Sequence, residues 1–147
     1  MNAFCAQNYG AGKPERIRRG YLIALAATAL WGLLMTLLFE CFPLQIGSVF
    51  FHEAEALQSA VPYFRIVGIS EAFMCVELMT TGALSGLGRT RLCSVISIGI
   101  TAARIPLAAA FSSTALGLEG VWLALAVTSI AKGITFALAF RRVSGRI

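Results

Sequence analysis

Four ionisable side chains sit inside long apolar stretches of this 147-residue sequence: Glu71, Glu77, Arg104 and Lys132. On insertion scales each such charge costs roughly 2.5–3.5 kcal/mol near the centre of a membrane-spanning helix. Four unpaired ones would cost about 10 kcal/mol, comparable to the stability of a whole domain. They must pair, take up a proton or line a wet cavity. A carboxyl group in a low-dielectric setting holds its proton more tightly and can exchange it near neutral pH, so the two glutamates are candidates for cation or proton coupling. Glu71 and Glu77 are six positions apart, about 120° around a helix. They can share a cavity but not one small ligand shell. The chain has no Asp and one His, His52, so no metal cage is expected around them.

The charges need apolar elements to hold them. Tyr21 to Phe39 is a charge-free run of 19 residues, long enough to cross a hydrocarbon core of about 30 Å. Three further runs cover 61–84, 92–111 and 121–140, giving four expected transmembrane helices in one membrane domain over 1–147. Between the first two, FPLQIGSVFF is too short to cross and reads as an interfacial helix. The expected fold is therefore all-α and polytopic. Composition agrees: 58% hydrophobic and 13% charged residues contrast with about 45–50% and 25% in soluble domains. Residues 1–20 form a polar, basic lead-in with no apolar core of a cleavable signal.

The basic residues fix an orientation. Lys13, Arg16, Arg18, Arg19, Arg89, Arg91, Arg141, Arg142 and Arg146 fall on one side, whereas residues 40–56 and 112–120 carry no Lys or Arg. The positive-inside rule makes the basic side cytoplasmic, with both ends of the chain there, at the inner (plasma) membrane. The net charge of +5 is clustered in these short loops and not interleaved with aromatics, which argues for the lipid bilayer as partner and against nucleic acid.

Depth along the helices suggests how the charges pair. Taking midpoints near Ala72, Ala102 and Ile130, Glu71 and Arg104 fall within about 5 Å of the midplane on the outer side. Glu77 and Lys132 both fall on the cytoplasmic side. The expected pairs are Glu71 with Arg104 and Glu77 with Lys132, while Arg65 can snorkel to the outer interface. Pro62, Gly68 and Pro106, with Gly82, are candidate helix breaks, which membranes tolerate where neighbours or a cavity satisfy the freed backbone. Cys5, Cys41, Cys75 and Cys93 show no paired spacing and read as small apolar residues.

Two short signals suggest nucleotides and fail on inspection. GAGK at Gly10–Lys13 has Gln7 at the first glycine position of a phosphate loop and Pro14 where a Ser or Thr would hold magnesium. GLG at Gly86–Gly88 has no strand before it and reads as a tight turn. No Ser/His, paired Asp or HExxH constellation is present, so no catalytic residue is assigned and an enzyme is not expected.

Four segments together carry a family resemblance. AQNYGAGKPERIRRGY at Ala6–Tyr21 resembles the cytoplasmic loop opening the ninth helix of multidrug and toxic compound extrusion (MATE) transporters. GALSGLGRTR at Gly82–Arg91 resembles the loop after their tenth helix, and RIPLA at Arg104–Ala108 and LGLEGVWLAL at Leu116–Leu125 resemble the eleventh helix and the start of the twelfth. The resemblance implies the last four helices of a six-helix lobe, whose partners are a missing N-terminal lobe and further helices. It implies export of cationic or amphipathic drug-like molecules by alternating access, driven by sodium ions or protons. Many members carry a carboxylate in the tenth helix eight residues before the glycine matching Gly82; here that position is Met74, flanked by Glu71 and Glu77. Two other functions compete. One is a small self-assembling membrane protein, a channel or a structural partner; the other is a lipid-linked oligosaccharide flippase of the related exporter superfamily, for which Arg104 and Lys132 speak.

Overall fold

A computed structural model describes residues 1–51 and 53–147; His52 lies outside the described residues. They form seven α-helices and no strand: α1 (Asn2–Gly10), α2 (Pro14–Cys41), α3 (Pro43–Phe50), α4 (Ala54–Gly68), α5 (Glu71–Gly86), α6 (Thr90–Ser112) and α7 (Gly117–Ser144). Three of them, α2, α6 and α7, are each long and apolar enough to cross a membrane. The pair α4 and α5 meets the same test together, bent by 55°. The protein is an all-α, polytopic membrane protein.

Local sequence sets the ends of these elements. Pro14 opens α2 and Pro43 opens α3, each at a position where the missing N–H would have had no helical partner. Glu15 in the first turn of α2 suits the positive end of the helix dipole. Gly12 at φ +64° and Gly88 at φ +72° make the turns into α2 and α6, conformations that cost a side-chain-bearing residue steric energy.

The stretch 61–84, expected as one helix, is two. Its break falls after Gly68, one of the four candidates, while Pro62, Gly82 and Pro106 lie inside continuous helices. A proline within a helix removes one hydrogen bond and the ladder resumes beyond it. At Gly68 the backbone has other partners: Thr36 Oγ1 donates to the Gly68 carbonyl at 2.7 Å, and the Ser70 N–H and hydroxyl both donate to Val67 O, at 2.9 and 2.7 Å. The space is closed as well, since a Cβ on Gly68 would lie 2.9 Å from that of Phe39.

Residues 1–20, expected as a polar lead-in, contain α1. It lies against α5 and α2, with Cys5 fully buried and Gly86 leaving room where a Cβ would come within 2.9 Å of Cys5 Cβ. The core gathers at this end of the molecule. Ile17, Tyr21, Leu84, Phe136 and Phe140 are buried together, and the Tyr21 and Phe140 rings stack 3.6 Å apart. Helices α5 and α7 share the centre: α5 packs on α2, α7 and α1, and α7 on α6, α5 and α4, whereas α6 barely touches α5. Leu22, Ile23, Leu30, Leu33 and Leu37 on α2 point outward, as lipid-facing or helix-facing positions do.

Candidate functional site

Helix α5 carries both carboxylates, and its neighbours decide their different fates. Gly133 lets α7 come close: a Cβ there would lie 2.9 Å from Phe73 Cβ. The adjacent Lys132 thereby reaches across, and its Nζ lies 2.9 Å from Glu77 Oε1, with both side chains about one-seventh exposed. Burial makes the pairing stringent, because removing either partner would leave a charge without compensation in a poorly solvating interior. One turn further along α5, Thr80 Oγ1 is 2.9 Å from the Tyr21 hydroxyl, tying α5 to α2.

Glu71 opens α5 at the bend. Close contact of Gly32 in α2 with Ala72, whose backbone N would be 3.1 Å from a Cβ at Gly32, packs α2 against this end of α5. Glu71 is half-buried and borders a cavity of about 200 Å³ with Phe39, Tyr63, Phe64, Val67 and Met74. Met74 is therefore in the same cavity as Glu71, as residues three apart on a helix must be neighbours. Glu77, on another face of α5, does not line it. Among the described residues Glu71 forms no ion pair.

The expected pairing of Glu71 with Arg104 is not formed. Arg104 turns to α7, where its Nε donates to Thr128 Oγ1 at 2.8 Å and its Nη2 to Ser129 Oγ at 3.4 Å. The reason lies in the packing: α6 is laid along α7, away from α5, so α7 hydroxyls are the polar atoms within reach. Thr128 in turn donates to the Ala124 carbonyl at 2.8 Å, which leaves an oxygen lone pair for the guanidinium. Two neutral oxygens thus hold Arg104, and no carboxylate pairs with it among the described residues.

Neither glycine-rich signal offers a phosphate cradle. In the first, the N–H groups of Ala11, Gly12 and Lys13 already donate to Gln7, Tyr9 and Asn8 carbonyls at the end of α1. In the second, those of Leu87, Gly88 and Arg89 donate to the carbonyls of Ala83, Ser85 and Leu84. Both are helix C-caps.

One polar contact had no warning in the sequence pattern. Arg18 Nε and Nη2 donate to the carbonyl of Ser144 at 3.1 and 2.7 Å, and its Nη1 lies 3.0 Å from Glu15 Oε1. A basic residue counted only for orientation thus caps the negative end of α7.

Apolar spans around a broken helix, a buried ion pair and a carboxylate bordering a cavity define a polytopic membrane protein with charged groups set inside its apolar spans. A family model for MatE matches residues 1–110, so the chain belongs to the MatE family. It is also similar to a protein described as an FAD transporter from Shewanella oneidensis, with 26% identity over 132 residues. That alignment covers 89% of this chain and 29% of the relative. The chain thus spans less than a third of that relative's length.

Proposed function

We propose that this chain supplies part of one lobe of a cation-coupled MATE-type exporter, lying in the inner membrane with both ends in the cytoplasm and working with further transporter helices. Glu71 is the coupling carboxylate, accepting a sodium ion or a proton. The observation that carries this reading is the shared cavity: Glu71 lies one turn from Met74, the position where the family resemblance expects an acid, and has no cationic partner among the described residues. Glu77 is occupied by Lys132 and holds α5 to α7. Loading the cavity at the bend with a cation changes the charge there, and any difference in cation affinity between two arrangements of α4 and α5 biases their equilibrium.

Two substrate classes follow from two different supports. The family resemblance favours a cationic or amphipathic compound. The name of the Shewanella relative, together with an Arg104 that has only neutral partners, favours a dianionic nucleotide-like molecule such as FAD. Proteoliposomes under a sodium or pH gradient, loaded in turn with a cationic dye and with FAD, test both. Gradient-driven transport of one class, lost in Glu71→Gln and kept in Glu71→Asp, is the expected result. Transport by Glu71→Gln at the unmodified rate would remove the coupling role.

A further inference from the structure

At the arginine-rich end of the molecule, residues of α6 and α7 line a cavity of about 460 Å³. Its rim carries Arg89, Arg142 and Arg146, and its floor is apolar, built from Ile96, Leu138 and Val143 among others. No acidic residue lines it, and none of the three arginines belongs to an ion pair among the described residues. Arg142 and Arg146 are four residues apart, so they stand on one face of the chain and repel each other. They at least lie at the C-terminal end of α7, where the helix dipole favours cations. Arg89 has no such support. It is the N-cap residue of α6, where the dipole disfavours a positive charge. Three arginines therefore line one opening, beside the first-turn N–H groups of α6, and none is paired with a carboxylate among the described residues.

We propose that this cavity binds an anionic phospholipid, with the headgroup phosphate among Arg89, Arg142 and Arg146 and an acyl chain along Ile96 and Leu138. Charge and polarity together select this occupant. A soluble anion would use the rim and gain nothing from the floor, and an apolar helix would cover the floor and bury the three charges. A lipid matches both, and basic pockets between helices at a membrane surface take anionic headgroups. Leu138 is 54% exposed, so the floor is open sideways to receive a chain. Guanidinium forks suit phosphate oxygens by paired hydrogen bonds. The assignment does not depend on transport activity.

The test is native mass spectrometry of the detergent-purified chain, given dioleoyl phosphatidylglycerol or dioleoyl phosphatidylcholine. Because the tails are identical, a difference in retention reports the headgroup. Phosphatidylglycerol is expected to be retained at least about fivefold better, the change one basic residue makes at an anionic surface. The Arg89→Gln/Arg142→Gln variant should lose that preference, while Lys13→Gln/Arg16→Gln, which removes the same charge from exposed residues outside the cavity, should keep it. Ile96→Trp, which fills the floor and leaves the charge alone, should weaken retention too. Should the double arginine variant fail to fold, Arg146→Gln, beyond the end of α7, replaces it and should weaken retention. Equal retention of the two lipids, equal loss in both charge variants, or full retention by Ile96→Trp would each overturn the site. Displacement of the lipid by excess glycerol-1-phosphate would assign the rim to a soluble anion and overturn the lipid assignment.

Discussion

Glu77 and Lys132 meet at 2.9 Å in a setting that gives neither much water, so each depends on the other. Glu77→Gln or Lys132→Met alone is expected to lower stability by about 3–5 kcal/mol, because the remaining charge is stranded. The double variant should recover most of that loss, since two neutral side chains leave no charge to solvate. Thermal unfolding of the detergent-solubilised protein measures this; equal losses in the single and double variants would show that the pair is not coupled. Depth along the helices sufficed to match these two residues, because α5 and α7 are close neighbours. The same depth argument failed for Glu71 and Arg104. Equal depth says nothing about which helix faces which, and Arg104 found Thr128 and Ser129 on the helix that α6 follows.

The bend between α4 and α5 shows how far element boundaries can be read from residue type. Pro62, Gly68, Gly82 and Pro106 were the candidates, and only Gly68 marks a break, because a residue in another helix completes its hydrogen bonding. That partner, Thr36, cannot be inferred from the sequence around Gly68. Pro62→Ala and Pro106→Ala are expected to leave the melting temperature unchanged or raise it. Thr36→Val should cost about 1 kcal/mol through the unsatisfied carbonyl, and Gly68→Val more, through its clash with Phe39. Circular dichroism melts separate the two groups, and a large loss in the proline variants would contradict the assignment. Helix α1 was missed for a related reason. Its polar average hides the apolar spacing of Met1, Phe4 and Cys5, which was the one signal for an amphipathic turn. Its partner surface on α5 is remote in sequence.

Across the whole molecule, the apolar runs and the basic clusters were plain in the sequence: 21–39, 92–111 and 121–140 each lie within one helix, and 61–84 is divided between α4 and α5. The orientation proposed from the loops can be checked directly. A fluorescent protein fused after Ile147 should fold and fluoresce, whereas alkaline phosphatase fused at Thr114 should be active; the reverse pattern would invert the topology. Which outward faces meet lipid and which would meet further helices was not legible, since both demand the same apolar residues. The Arg18 clasp on Ser144 also sets an order in biosynthesis. Helix α2 is made before α7, yet the carbonyl that holds its Arg18 and the ring that stacks on its Tyr21 belong to α7. Until those 28 helical residues are made, α2 and α5 can pack on each other but lack the partners that α7 brings to both. A nonsense or frameshift change before α7 therefore strands Arg18, Tyr21 and Glu77 without their partners and leaves loosened helices open to quality-control proteases.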